Sequence, residues 1–336
     1  MTLPGGSRGS EPAGRTGVVL RDPVPWRQLV QIVLTAEETG YESVFVPEIA
    51  GREAFSALTG FGLSTSTIRL GTGVVTVRAR SPVATAMAAG TVHDLSGGRF
   101  VLGIGAGSPR GDPGGPGPAD VVSRYVGLVR RILEGQSVEP DELFDSPAFR
   151  LELAAGQPPP PIWLAALGDR MVGLAGEIGD GVLLNWCTPE RVAAARTVLA
   201  RAAERAGRDP SRLTVAVYVR ACLGLDEDVA MSALKQMAGQ YAAIPHYFRQ
   251  FELMGLGEEA ALGAKAYQGG RAEEVPEPLV RATAVTGGRG TALARFREYR
   301  DAGADVVLCY PVAALDPISS VLGTVLAAAP SPSLER

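Results

Sequence analysis

Apolar residues in this chain gather into short, nearly continuous runs separated by longer stretches of mixed polarity. Residues 16–20 (TGVVL) and 43–46 (SVFV) are such runs, as are 68–76, 99–104, 162–166, 181–184, 213–223 and 305–309. Short apolar runs without alternation predict strands covered on both faces, the habit of a parallel sheet. The intervening segments 26–39, 53–64, 82–95, 121–133, 169–178, 189–206, 291–302 and 317–328 read as helices, with another starting at Glu227. In the first, Leu29, Ile32, Val33 and Ala36 recur at helical spacing and Gly40 follows as a stop signal. Pro82 suits a first helical turn, and Gly207 closes the segment that begins at Pro189.

Strand and helix alternate along nearly the whole chain, and the count of eight strands predicts a (β/α)8 TIM barrel. An open doubly wound sheet is the competing arrangement. Two segments interrupt the alternation and read as insertions. Residues 134–160 are irregular and proline-rich, and 242–278 are mostly helical and predicted to cover the barrel's C-terminal mouth. Residues 1–15, rich in Gly, Pro, Ser and Arg, read as a disordered leader before a single domain over 16–330.

A length of 336 residues fits one such barrel, since these domains take roughly 250 residues before insertions. The net charge of −4 and the scattered arginines give no basic field for nucleic acid. No apolar run reaches the roughly 18–20 residues of a membrane span, and a cytoplasmic location is expected. Cys187, Cys222 and Cys309 lie far apart in apolar surroundings and read as buried thiols. With His93 and His246 as the only histidines, neither a zinc site nor a Ser-His-Asp triad is expected. His93 reads as structural.

Active sites of such barrels lie at the C-terminal strand ends. Those ends carry Arg21-Asp22, Pro47-Glu48, Gly73-Val74-Val75-Thr76, Gly105-Ala106-Gly107-Ser108, Ala166-Leu167-Gly168-Asp169, Asn185-Trp186 and Tyr310-Pro311. Glycine there lets a backbone approach a flat or phosphorylated ligand, and the turn before a helix can bind phosphate. Gly103, Gly105 and Gly107 lie too close together for a dinucleotide fingerprint. Without a metal cluster or nucleophile–base pair, the pattern suits an organic cofactor that brings its own reactivity. Glu48 is the candidate acid, and a solvated loop residue is its plainer reading. Tyr241, His246, Tyr247 and Phe248 either line a substrate pocket or pack within a covering helix.

The stretch from Ala36 to Glu48 (AEETGYESVFVPE), then Ile68 to Val74 (IRLGTGV) and Leu95 to Gly107 (LSGGRFVLGIGAG), resembles the bacterial luciferase-like superfamily. Ile162 to Gly168 (IWLAALG), Leu174 to Glu177 and Asp180 to Asn185 resemble its branch that uses the deazaflavin coenzyme F420, to which methylenetetrahydromethanopterin reductase belongs. The resemblance runs in order from about Thr16 to Val312. It implies a cofactor at the barrel mouth and a non-proline cis peptide, here Gly73–Val74, in a bulge behind the cofactor ring. It further implies ring contacts from Val75 and Thr76, phosphate contacts through backbone groups of Ala166, Leu167, Gly168, Gly181, Val182 and Leu183, and cofactor contacts from Ala106, Ser108 and Ala165. Sugar-phosphate dehydrogenases of the branch carry His and Glu where this chain has Glu48 and Ser108, which speaks against that substrate. The methanopterin reductases keep an acid near Glu48, which implies a place for Glu48 beside the ring or as proton donor.

The expected activity is therefore an F420-dependent oxidoreductase that moves a hydride between deazaflavin C5 and a small organic substrate with a C=C, C=N or C=O bond. An FMN-dependent luciferase-like monooxygenase is the alternative, and a non-catalytic flavin-barrel binding protein the third reading. The resemblance also implies a homodimer, with the small-residue helix over 82–95 suited to close contact.

Overall fold

The computed structural model describes residues 15–21, 24–107, 115–153 and 158–330. Ten strands form one parallel sheet: β1 (Thr16–Val19), β2 (Ser43–Val46), β3 (Arg69–Thr72), β4 (Val75–Thr76), β5 (Phe100–Gly105), β6 (Ile162–Ala166), β7 (Gly181–Asn185), β8 (Thr214–Leu223), β9 (Ala284–Gly287) and β10 (Val306–Pro311). Each runs parallel to its neighbours, and the sheet closes where β10 pairs with both β1 and β8, at Gly17↔Leu308 and Tyr310↔Arg220. The expected eight-stranded TIM barrel is present, with β3 and β4 as two halves of one predicted strand. They are separated by the bulge at Gly73–Val74, whose peptide bond is cis as the resemblance implied.

β9 went unread. It is four residues long, and it pairs with β8 from Arg220↔Ala284 to Leu223↔Gly287, above the level where β7 ends at Asn185. So short a strand, ending in glycine, is held by its tertiary partner and leaves little local signal.

Side chains of the barrel strands alternate between two cores. Those facing the helices join Val44, Leu70, Leu102, Leu164, Val182 and Val217 to α1 (Trp26–Glu38), α2 (Ala54–Ser64), α3 (Pro82–Leu95), α4 (Pro118–Leu133), α5 (Asp169–Ile178), α6 (Pro189–Arg205) and the later helices. Those facing inward fill the barrel with Val19, Phe45, Val101, Trp163, Leu183, Ala216, Tyr218, Leu308 and Tyr310. Phe45 and Trp163 stack across it with centroids 5.6 Å apart. Two such rings fit because glycines face them: a Cβ on Gly71 would lie 2.3 Å from the Phe45 ring.

The two insertions lie at opposite ends. The described part of the first insertion, residues 134–153 and 158–160, lies between the end of α4 and the start of β6, on the face away from the mouth. There Val138 bridges Phe149, and the Pro158 carbonyl meets His93 Nε2 at 2.8 Å. The second insertion does reach the mouth. α7 (Glu227–Ala242), α8 (Pro245–Leu253), α9 (Gly257–Gln268) and α10 (Glu277–Thr283) enclose a separate core with Trp186, Cys222 and Val312 from the strand ends. α11 (Arg289–Asp301) and α12 (Pro317–Ala327) complete the outer layer. The leader reading lies outside the described residues except for Arg15, which is ion-paired to Glu42 at 2.5 Å. No described helix is long and apolar enough to cross a membrane.

Candidate active site at the barrel mouth

The strand ends on one side of the mouth are made of small, half-buried residues. Val74 and Thr76 flank the bulge, and Ala106 and Gly107 follow β5. Ala165 lies on the inward face of β6, beside Gly105. Gly73 is held from below, where Tyr218 Oη donates to its carbonyl at 3.0 Å. Leu167 and Gly168 continue the rim into α5, and the Leu167 carbonyl accepts from Arg191 Nη2 at 2.8 Å. Arg191 also pairs with Asp169 at 2.8 Å, which braces the turn.

Not every predicted contact belongs to this shelf. Val75, Ala166 and Val182 face the helix layer, so their side chains point away from the mouth. Gly181 starts β7 at the opposite end of the barrel, where a Cβ would meet Trp163 and the Thr214 carbonyl. Leu183 is inside the barrel, against Gly103 and one layer below Asn185. The mouth end of β7 is Asn185. Ser108 lies outside the described residues.

Glu48 sits beside the bulge, its N–H 3.4 Å from the Val74 carbonyl. Its carboxylate is engaged: Arg80 reaches it with Nη2 at 2.9 Å and Nε at 3.3 Å. Arg80 also bonds Glu53, the N-cap of α2, and lies over the Phe55 ring. Burial opposes the charge of Glu53, but the N–H groups of Ser56 and Phe55 hold its carboxyl below the usual range. Arg80 was not singled out from the sequence, because its partners lie 32 and 27 residues away.

A cationic, aromatic cluster forms the other side of the mouth. Arg220, on the inward face of β8, is 1% exposed. Its guanidinium lies 4.2 Å from the Tyr310 ring centroid, 4.6 Å from Trp186 and 5.3 Å from Tyr241. Its Nη1 donates to Asn185 Oδ1, whose amide nitrogen donates in turn to Tyr247 Oη at 2.9 Å. Trp186 holds a left-handed backbone, φ 51°, which a bulky residue adopts only where its surroundings impose it. Burial pushes the Tyr310 phenol up to about 12, so it stays a neutral donor near neutral pH. The period-two pattern of β8 could have marked Arg220 as inward, since Ala216 and Tyr218 precede it on the same face.

A closed parallel barrel with a bulge after its third strand and a shelf of small residues at its mouth defines a luciferase-like redox barrel. The profile of the luciferase-like monooxygenase family matches residues 4–306, and the chain belongs to that family as one of its oxidoreductases. It is 33% identical to 5,10-methylenetetrahydromethanopterin reductase of Methanolobus tindarius over 215 residues, 62% of this chain and 64% of that relative. The reductase of the same name from Archaeoglobus fulgidus is 29% identical over 308 residues, 87% of this chain and 92% of that one. Among solved structures, the coenzyme F420 dependent tetrahydromethanopterin reductase of Methanopyrus kandleri superposes with a TM-score of 0.76. It covers 94% of this chain and 99% of its own at 22% identity, a likeness of fold.

Proposed function

We propose that this protein is an F420-dependent reductase of a small organic substrate with an electrophilic double bond. The observation that carries the reading is the two-sided mouth. One wall is a shelf of small residues, Gly73, Val74, Thr76, Ala106 and Ala165, which leaves room for a flat ring. The other is a cluster of buried donors on Arg220, Trp186 and Tyr310. Among the described residues no group of His, Cys, Asp and Glu could hold a metal ion. Reactivity then rests with a bound organic cofactor, which in F420 is a hydride carried at C5. The orphaned buried donors Trp186 Nε1, Arg220 Nε and Tyr310 Oη fit a substrate rich in acceptors beside that cofactor.

In this reading Gly73, Val74 and Thr76 support the ring, Ala106 and Ala165 bound it, and Leu167 and Gly168 receive the phosphate. Glu48 works through Arg80. Both its oxygens accept from that guanidinium, which ties the rim beside the bulge and supports the shelf. Tyr241 and Tyr247 exclude water from the far wall. The subunits pair through α2 and α3, where Leu63, Met87 and Leu95 are exposed apolar side chains.

The same barrel would serve an FMN-dependent monooxygenase, and the family's own description favours that as the second reading. A parallel fluorescence titration with F420 and FMN separates them. Tight F420 and weak FMN binding are expected. The reverse preference, with oxygen consumption, would establish the monooxygenase, and binding of neither would leave a non-catalytic barrel.

A further inference from the structure

We propose that Arg220 is an anion-recognition residue, and that the substrate of this barrel carries a carboxylate that binds it. The inference deepens the reductase reading and rests on it for the place of the substrate. Four observations carry it. Arg220 is buried inside the barrel rim, yet no carboxylate among the described residues pairs with it; its one hydrogen-bond acceptor is the neutral Asn185. Its Nε has no partner. Two further buried donors of the same cluster, Trp186 Nε1 and Tyr310 Oη, also lack acceptors. The other buried arginine of the rim, Arg191, also leaves its Nε without a partner but has Asp169 as its counter-ion.

An arginine taken out of water without a counter-ion is costly, and aromatic faces compensate only in part. The guanidinium with its orphaned Nε and the two orphaned donors of the rings beside it lack a single thing, an acceptor with negative charge. A carboxylate supplies it: its two oxygens match the edge of a guanidinium and accept from neighbouring N–H and O–H groups. The aromatic walls of Trp186, Tyr241 and Tyr310 suit a carboxylate carried on a flat or apolar body. Tyr241 and Tyr247 close the cluster from α7 and α8, so entry requires those two rings to move aside.

The probes are benzoate and its neutral counterpart benzamide, titrated into the full chain and read by tryptophan fluorescence. Trp186 is the reporter, and a Trp186→Phe variant identifies its signal. Benzoate is expected to bind saturably and benzamide about ten-fold more weakly or worse. Arg220→Gln is expected to lose the preference, and Arg220→Lys, which keeps the charge, to retain part of it. F420 affinity is expected to stay the same in both variants. Failure of benzoate to bind, equal binding of the two probes, or an unchanged preference in Arg220→Gln would overturn the proposal. So would loss of F420 affinity with benzoate binding intact, which would give Arg220 to the cofactor. If Arg220→Gln does not fold, Arg220→Lys decides, and absence of benzoate preference there counts against the inference. Benzoate binding in a wild-type protein that ignores F420 would leave the anion site standing and remove the reductase reading instead.

Discussion

Gly71 and Gly103 both face the barrel interior, but what stands opposite them differs. A Cβ on Gly71 would press on the Phe45 ring at 2.3 Å, whereas one on Gly103 would press on the Thr72 backbone carbonyl at 2.0 Å. A ring can be replaced and a strand backbone cannot. Gly71→Ala is therefore expected to destabilise by about 1–3 kcal/mol, the usual cost of an overfilled core. Adding Phe45→Leu should restore most of that loss. Gly103→Ala is expected to be more damaging and insensitive to Phe45→Leu. Urea midpoints of the four variants check this, and equal rescue of both glycines would refute it. These positions also show what residue-by-residue reading misses. The glycines at the strand ends read as room for a ligand, but Gly71 and Gly103, deeper in the barrel, make room for the protein's own Phe45 and Thr72. Only the contact partner tells the two uses apart, and partners are distant in sequence.

Between elements, the Glu48–Arg80–Glu53 clasp ties the end of β2, the N-terminus of α2 and the loop before α3. It is partly solvent-exposed, with side-chain accessibilities of 19%, 22% and 37%, so screening keeps it weak. A double-mutant cycle of Glu48→Gln and Arg80→Met is expected to give a coupling of up to about 1 kcal/mol. A coupling indistinguishable from zero would show that the clasp does not hold these elements together. At this scale the sequence was most legible. Long helices with amphipathic spacing and strands of unbroken apolar character stand where their patterns placed them. The failure is a short, cooperative feature: β9, which exists only beside β8; the bulge that divides the third strand was legible only through the family resemblance. The candidate site was legible as strand ends, and there the acid Glu48 and the bulge are next to each other. Arg80 was not, because its partners are distant in sequence, and for Arg220 the strand pattern marks the inward direction but not the rings it meets.

The whole molecule has three cores, one inside the barrel, one between barrel and helices, and one under α7 to α10. The three cysteines are distributed over the last two: Cys222 in the covering core, Cys309 between barrel and helices, and Cys187 where the two approach each other, with Gln250 Nε2 reaching its sulfur at 3.1 Å. Burial pushes the Cys222 thiol up to about 11 and that of Cys187 up to about 12, so little thiolate forms at neutral pH. No thiol is expected to react with a disulfide reagent in the native protein. In rising urea Cys222 should react first, as the covering helices open, and Cys309 last, with global unfolding. Simultaneous labelling of Cys222 and Cys309 would show that the two cores unfold as one.

β8 runs through all of this. Its inward face presents Tyr218 to the bulge, then Arg220 to the polar cluster, then Cys222 to the covering core. Alternate residues of a strand stand about 6.6 Å apart, so the strand acts as a ruler whose graduations are covalent. The helices above can drift or be exchanged without altering the spacing between the Tyr218 hydroxyl under the bulge and the Arg220 guanidinium. The converse is a sharp vulnerability: one residue inserted between Tyr218 and Arg220 would turn Arg220 into the outer helix layer and take the cation out of the polar cluster while leaving Tyr218 in place.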